Sequence, residues 1–406
     1  MTFRIAYFVT HPIQYQVPLL RYLAQAGGIE TQVFFLSDFS LRDHFERPFE
    51  KTFKWDVELT DGYRWEVWPR SWSRSIAPKG RWWPLTGLRA RLHAGRFDAV
   101  WVHGWGNLVL CQVIDAARAV HLPVLLRGES AASLEAGSHL RGRLHGPFYR
   151  HWLLPRVAAF LAIGSRNQDF YRELGVGEER LFAVPYAVDN AFFQSRSAAA
   201  APTRESLRQA LGLAPGHPVI LFVGKLIPAK APDELLRAFA QAHRRFRSDR
   251  APYLLYVGDG PMRAALEREA APLAKSIRFL GFCNQTELPA LYDLCDLFVC
   301  PSRFEPWGLV VNEAMNAARP VIVSDRVGAG EDLVVDGVNG FTYHSGHVAG
   351  LEVRLLQLLQ SRHLRVRMGE RSIKRITAWD FAADRRGLLA ALRWACRKTP
   401  AAAISR

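Results

Sequence analysis

The signatures of several chemistries are missing from this 406-residue chain. It has no Asp-x-Asp, no His-Glu-x-x-His and no clustered Cys and His, so the usual ligand sets for a carboxylate-held divalent ion or for zinc are absent. Gly-x-Ser-x-Gly and G-x4-G-K-[ST] are also absent, which argues against a hydrolase elbow and a P-loop. No metal or other cofactor is expected. Cysteine is scarce. The five residues, Cys111, Cys283, Cys295, Cys300 and Cys396, are odd in number and form no C-x-x-C pair, as in a cytoplasmic chain with reduced thiols. No run reaches the roughly eighteen apolar residues of a membrane span. The first residues, MTFRIAYFVTHPIQYQ, carry Arg4 inside the apolar run and no small-residue cleavage pattern, which predicts a first β-strand and not a leader.

Acidic residues are outnumbered, 38 against 53 Lys and Arg, giving a formal net charge of +15. The excess is concentrated. Arg64–Arg96 holds eight Lys or Arg against one acid, Glu66, interleaved with Trp65, Trp68, Trp72, Trp82 and Trp83. Residues 362–406 hold twelve basic residues against three acids. Cations among indoles suit an anionic lipid headgroup layer, so an anionic membrane surface is an expected partner, peripheral at the inner face of the cytoplasmic membrane. Solvated arginine-rich faces are the plainer explanation. Nucleic acid could use the same pieces but is not an expected partner.

With 49% apolar residues and a length beyond one ordinary core, the chain is expected to form two to three domains. Short β-branched or aromatic runs at Arg4–Val9, Thr31–Leu36, Ala99–Val102, Val124–Leu126, Ala159–Ile163 and Leu181–Val184 alternate with helical patterns. A second series follows at Val219–Phe222, Leu254–Val257, Ile277–Leu280, Leu297–Cys300 and Val321–Val323. Such alternation predicts two α/β halves, each a doubly wound parallel sheet. The alanine-rich stretch 191–204 reads as an interdomain linker, and Trp379–Arg397 has helical periodicity. The expected domains are 1–195, 203–377 and a terminal helix, 378–406.

The richest segment is Phe304–Ala318, FEPWGLVVNEAMNAA, continuing as RPVIVS. Glu305 and Glu313 lie eight positions apart, separated by a glycine turn that opens an apolar helix between two strand runs. Ligands bind where a parallel strand's C-terminal end meets a helix N-terminus, and the first helical amides suit phosphate or sugar oxygens. Two carboxylates there can accept hydrogen bonds from the hydroxyls of a sugar and a ribose. Lys225 and Lys230, after a strand and Gly224, can straddle a diphosphate. His103, in VWVHGWGN, ends a strand of the first half; Arg127 and Glu129, in LLRGES, end the next and are candidates to line an acceptor cleft. The loop HPIQYQ after the first strand offers His11, Gln14 and Tyr15 as hydrogen-bonding groups on a turn stiffened by Pro12.

The E-x7-E segment with EAMNAARPVIVSDRVGAGEDLVVDGVNGF resembles the retaining glycosyltransferases of family 4. VGKLIPAK, VGDGPMRAALE, FLGFCNQTEL and VPYAVD resemble further pieces of that family, in the family's order. The resemblance covers roughly residues 180–345. It implies the GT-B fold: α/β, two Rossmann-like doubly wound parallel-sheet domains facing a central cleft. It also implies transfer of a sugar from a UDP- or GDP-sugar donor, without metal and with retention, to a glycan or lipid-linked acceptor, as in bacterial cell-surface polysaccharide or glycolipid synthesis. In that scheme Glu305, with the backbone of Trp307, Gly308 and Leu309, holds the donor sugar and Glu313 the ribose. Gly281, Phe282, Cys283, Asn284 and Leu288 frame the base, and Lys225 and Lys230 neutralise the diphosphate. His103 acts by positioning and electrostatics near the anomeric centre, and the terminal helix packs back on the first domain. The family usually has Arg where Lys225 stands and Gly where Ala231 stands, so a bidentate fork becomes a point charge. The HPIQYQ loop also lacks the usual glycine turn. Alternatives are a small-molecule acceptor, a nucleotide-sugar epimerase or sugar phosphorylase on the same fold, and a non-catalytic basic scaffold.

Overall fold

The computed structural model describes residues 2–46, 51–68, 85–130, 146–246 and 248–398. They fall into two compact units: Met1–His44, Val57–Tyr186 and Phe381–Arg406 form unit 1, and Phe45–Asp56 with Ala187–Asp380 form unit 2.

Unit 1 is built on a seven-stranded parallel sheet of β1 (Phe3–Val9), β2 (Ile29–Phe35), β5 (Arg64–Val67), β6 (Ala99–His103), β7 (Val124–Arg127), β8 (Ala159–Ala162) and β9 (Leu181–Ala183), in the order β5-β2-β1-β6-β7-β8-β9. Successive strand residues face opposite sides. Ile5, Tyr7 and Val9 therefore join one core with Leu19, Leu20 and Leu23, while Ala6 and Phe8 join a second with Leu92, Val109 and Val113. Both faces are covered, which is why the strands read as near-continuous apolar runs. The first core is closed by the helix Phe381–Lys398, whose Leu388, Ala391, Leu392 and Ala395 follow helical spacing and are 0% exposed. A Cβ at Gly387 would stand 1.8 Å from the Ala183 carbonyl oxygen, so only glycine lets this helix lie on β9.

Unit 2 repeats the architecture with six parallel strands: β10 (Val219–Val223), β11 (Tyr253–Val257), β12 (Ile277–Gly281), β13 (Leu297–Cys300), β14 (Val321–Ser324) and β15 (Gly340–Tyr343), in the order β12-β11-β10-β13-β14-β15. The order reverses beside β10. Phe45–Asp56, drawn from within the N-terminal half, belongs to this unit: Asn284 Nδ2 donates to the Lys54 carbonyl at 2.8 Å, the Thr286 amide to Asp56 Oδ2 at 3.1 Å, and Trp55 lies edge-on to Phe282. A short ribbon of β3 (His44–Glu46) and β4 (Lys51–Phe53) precedes that contact.

Two expectations change. Residues 191–204 are not a linker. Asp189 caps a helix, Asn190–Ala200, by accepting from the Phe192 amide at 2.9 Å. Within unit 2, Gln194 donates to Asn316 at 2.8 Å and Ser197 to the Pro289 carbonyl at 3.2 Å. Alanine there is a helix former, not a sign of low complexity. The units accordingly meet in sequence at Tyr186 and Ala187, not at residue 195.

Residues 69–84, the middle of the Arg64–Arg96 segment, lie outside the described residues, Trp72, Trp82 and Trp83 included. Its described part is partly structural: Trp68 packs on the core, and Arg91 holds Glu66 at 3.0 Å through Nε and lies over Phe34. Among the described residues no helix is long and apolar enough to cross a membrane.

Candidate functional site

In unit 2 the loops leaving β10, β11, β12 and β13 converge. The Gly224 amide donates to the Val257 carbonyl at 2.9 Å, and Leu226 N to the Asp259 carbonyl at 2.9 Å. Gly258, with φ +128°, has its missing Cβ 1.9 Å from the Gly224 carbonyl oxygen, so the two turns touch backbone to backbone. Lys225 follows Gly224, half-buried. Pro228–Lys230 makes one 3-10 turn, and Ala231, at φ +49°, takes the left-handed conformation that opens the helix Pro232–Arg245. That geometry accounts for the glycine the family usually keeps there.

Lys230 Nζ pairs with Glu305 Oε2 across 75 positions of sequence. The β13 loop is pinned to the same turn, with the Arg303 and Phe304 amides both donating to the Ala229 carbonyl, at 2.8 and 3.2 Å. Gly308, at φ +99°, starts the helix Leu309–Asn316; a Cβ there would press on Glu305 Cγ at 3.0 Å. Trp307 is buried. Its Nε1 donates to Asn312 Oδ1 at 3.0 Å and its ring stacks on Trp379 at 5.4 Å, so its side chain is committed to packing. The first amides of a helix lack the i−4 partners of its interior, and this helix starts beside Glu305.

One turn further, Glu313 is 6% exposed and accepts from Tyr292 Oη at 2.7 Å. Burial pushes its pKa up to about 7, against hydrogen bonds from Tyr292 and Gln285 that pull it down. Gln285 comes from the loop after β12. That loop turns at Gly281, φ +75°, leaves Phe282 and Cys283 half-buried, and buries Leu288 at the start of the helix Leu288–Leu294. The residues expected to contact phosphate, sugar, ribose and base thus all lie in unit 2, on the segments that follow β10, β12 and β13.

In unit 1 a second polar cluster gathers at the C-terminal ends of β6 and β7, beside β1, where the strand order reverses. His103 is buried and surrounded: Tyr7 Oη lies 3.1 Å from Nδ1, Tyr186 Oη 3.0 Å from Nε2, and Gln16 Nε2 within 3.1 Å of the ring. Tyr7 Oη donates onward to Gln16 Oε1 at 2.6 Å. Burial lowers the His103 pKa, so the ring is neutral near pH 7 even though Glu129 Oε1 lies 3.8 Å away. Glu129 accepts from Tyr186 Oη at 2.6 Å and Tyr15 Oη at 3.2 Å. Burial works against its carboxylate, but the adjacent His103, including its charge interaction, and hydrogen bonds from Tyr186 and Tyr15 outweigh it and hold the pKa down at about 2. Both tyrosines are pushed well above their ordinary pKa, chiefly by burial, and remain proton donors.

Arg127, a candidate for the acceptor cleft, has another role. It is 2% exposed; Nη2 holds Asp384 Oδ2 at 2.9 Å and the Val184 and Pro185 carbonyls at 3.0 and 3.2 Å, and the guanidinium lies 4.4 Å from the centre of the Tyr186 ring. It ties the C-terminal helix under the cluster and does not face a ligand. His11 packs edge-on against Phe39 and bonds Thr10 Oγ1, outside the cluster, and Gln14 is half-buried on the same loop. Sequence reasoning missed Tyr7, Gln16 and Tyr186. Their signal was available in part, since Gln16 and Tyr186 stand in the HPIQYQ and VPYAVD segments at strand ends. Among the described residues no group of three or more His, Cys, Asp or Glu is placed to hold a metal ion.

Two parallel-sheet units, the second carrying the Lys225–Lys230 turn and the E-x7-E helix, are what the resemblance to glycosyltransferases implies, and comparison with known proteins agrees. Residues 203–375 match the family model "Glycosyl transferases group 1", and residues 14–187 match "Glycosyl transferase 4-like domain". A D-inositol 3-phosphate glycosyltransferase of Xylanimonas cellulosilytica is 30% identical over 313 residues, 73% of this chain and 72% of that protein. A D-inositol 3-phosphate glycosyltransferase of Nocardia farcinica is 34% identical over 53% of this chain and 48% of that protein; the chain likewise spans about half the length of an alpha-D-kanosaminyltransferase of Streptomyces kanamyceticus and of two further D-inositol 3-phosphate glycosyltransferases. Among solved structures, Anabaena HepE in complex with UDP superposes with a TM-score of 0.71 at 19% identity, over 97% of this chain and all of that one. The chain belongs to the family 4 glycosyltransferases and has the GT-B fold.

Proposed function

We propose that the protein transfers a glycosyl group, with retention and without a metal, from a nucleoside diphosphate sugar to a hydroxyl of a glycan or lipid-linked acceptor. The observation that carries this reading is the Lys230–Glu305 pair at the start of the Leu309–Asn316 helix, with Glu313 buried on the same helix. A diphosphate competes with Glu305 for Lys230. Once displaced, Glu305 can accept from the sugar's hydroxyls while Lys230, Lys225 and the first helical amides hold the phosphate oxygens. That places positive charge where negative charge grows as the sugar–phosphate bond breaks. Glu313 accepts from the ribose, and the Gly281–Asn284 loop with Leu288 frames the base. The glycosidic C–O bond to phosphate breaks, the acceptor oxygen bonds the same carbon from the same face, and the acceptor proton passes to the departing phosphate oxygen. No carboxylate of the protein attacks carbon. His103, neutral and fixed by Tyr7, Gln16 and Tyr186, contributes by positioning and local electrostatics.

UDP is the first base to try, because HepE, of the same fold, was crystallised with it. The inositol phosphate relatives support a small polyol as a second class of acceptor beside lipid-linked glycans. The basic, Trp-containing Arg64–Arg96 segment supports a membrane-borne acceptor and a place at the cytoplasmic membrane surface in cell-surface polysaccharide or glycolipid synthesis. The test is transfer from UDP- and GDP-sugars in excess chelator, with the product's anomeric configuration followed by NMR from the first turnovers. Retained configuration with activity in chelator is expected. An inverted product sinks the mechanism, and dependence on added divalent ion sinks the metal-free reading.

A further inference from the structure

We propose that Glu129 is the hydroxyl-recognising carboxylate of unit 1, presenting its Oε2 atom to a polyol ring of the acceptor. The proposal rests on the transferase reading above and assigns one side of it.

Every contact of the carboxylate falls on one oxygen. Tyr186 Oη, Tyr15 Oη and His103 Nε2 lie 2.6, 3.2 and 3.8 Å from Oε1. Among the described residues Oε2 takes part in no hydrogen bond or ion pair, and the side chain is 44% exposed. One oxygen anchors the group and the other is offered.

The tyrosines stay protonated, and the neighbouring cation, Arg127, is committed to Asp384 and two carbonyls. An ionised carboxylate with one oxygen unpartnered has acceptor capacity left and no proton to give. Its complement is a hydrogen-bond donor, and a carboxylate–hydroxyl bond is a strong, charge-assisted one. Because the carboxylate is held so acidic, it is a poor proton acceptor in a reaction; it is a positioning residue and not a general base. The Tyr15 and Tyr186 rings stand 6.0 Å apart at 65°, and their hydroxyls fix the anchored oxygen in place. The cluster also stands at the strand ends where the sheet order reverses, the usual ligand position in such sheets.

The experiment is saturation-transfer-difference NMR on the full chain with methyl α-D-glucopyranoside and myo-inositol as probes, with and without UDP, alongside calorimetry of UDP itself. Signal from at least one probe is expected in the wild type, cut fivefold or more in Glu129→Gln and partly in Tyr186→Phe. UDP affinity should stay within twofold in both variants. Equal probe signals in wild type and Glu129→Gln, or no signal from either probe, overturns the proposal. Failure of the donor reading appears separately, as absence of UDP binding by the wild type. Should Glu129→Gln fail to fold, Glu129→Asp, which withdraws the carboxylate by one methylene, is judged by the same criteria.

Discussion

Two carboxylates mark the two units, and they are held in opposite ways. Glu305 in unit 2 is neutralised by the ammonium of Lys230, whereas Glu129 in unit 1 is held by tyrosine hydroxyls and a neutral imidazole and keeps its charge. The first arrangement suits an anionic ligand that takes the lysine and releases the carboxylate. The second suits an uncharged, hydroxylated ligand that leaves the carboxylate's anchors in place. Glu313 is a third case, a buried carboxyl with hydrogen bonds but no cation, and its pKa rises to about 7 as a result. The partner chosen for each acid thus states what its ligand must bring.

Removing the lysine should have the largest effect. Lys230→Ala leaves Glu305 partly buried without its cation and the diphosphate without its main counter-charge. A fall in kcat/KM on the order of 10³-fold, about 4 kcal/mol, is expected in a steady-state assay. A loss under tenfold would show that the pair is only structural.

Glu305→Gln separates exchange from simple attraction. Freed of its competitor, Lys230 should bind UDP about fivefold more tightly, about 1 kcal/mol by calorimetry, while sugar transfer falls about 100-fold. Weaker UDP binding in this variant would count against the exchange.

pH sharpens the contrast between Glu313 and Glu129. Glu313 has a folded pKa raised to about 7, above the ordinary value of about 4.3, so the folded state holds its proton more tightly. Its contribution to stability is therefore lost as pH rises from about 4 to 7. In the proposed role Glu313 accepts from the ribose as a carboxylate, so UDP affinity should weaken about tenfold more from pH 8 to pH 6 in wild type than in Glu313→Gln. Above pH 7 that variant should also melt higher than wild type. Glu129 has the opposite sign: with its pKa lowered to about 2, its contribution is present above about pH 4 and is lost only as pH falls toward 2. Probe binding at Glu129 should be flat between pH 6 and 8, and a slope there would mean that the tyrosine anchors do not hold it.

The donor side was the more legible in sequence because its parts are local. A strand, Val219–Val223, the turn with Gly224 and Lys225 that follows it, and the helix Leu309–Asn316 opened by Gly308 are each short runs of consecutive residues, so each pattern survives in one dimension. The polar cluster of unit 1 is assembled from β1, β6 and the segment after β9, and no spacing in the sequence announces that Tyr7, His103 and Tyr186 meet. Arg127 was misplaced for the same reason, since its partner Asp384 stands 257 positions away. The stretch 191–204 misled differently: alanine is compatible with both linker and helix, and Asp189 at the cap was the deciding residue.

That cap supplies the smallest effect. Asp189→Ala should destabilise unit 2 by about 1 kcal/mol, the usual loss for a helix N-cap, with donor kinetics unchanged. No change in a denaturant melt would return the segment to the status of a linker.

The central claim is that unit 2 binds a nucleoside diphosphate through Lys230 and Glu313 without a metal. Isothermal titration of UDP, then GDP, into the full chain in excess chelator tests it most directly. The account predicts saturable binding of one of them that disappears in Lys230→Ala and in Glu313→Ala. Absence of binding by either nucleotide, or binding that survives both substitutions, would contradict it.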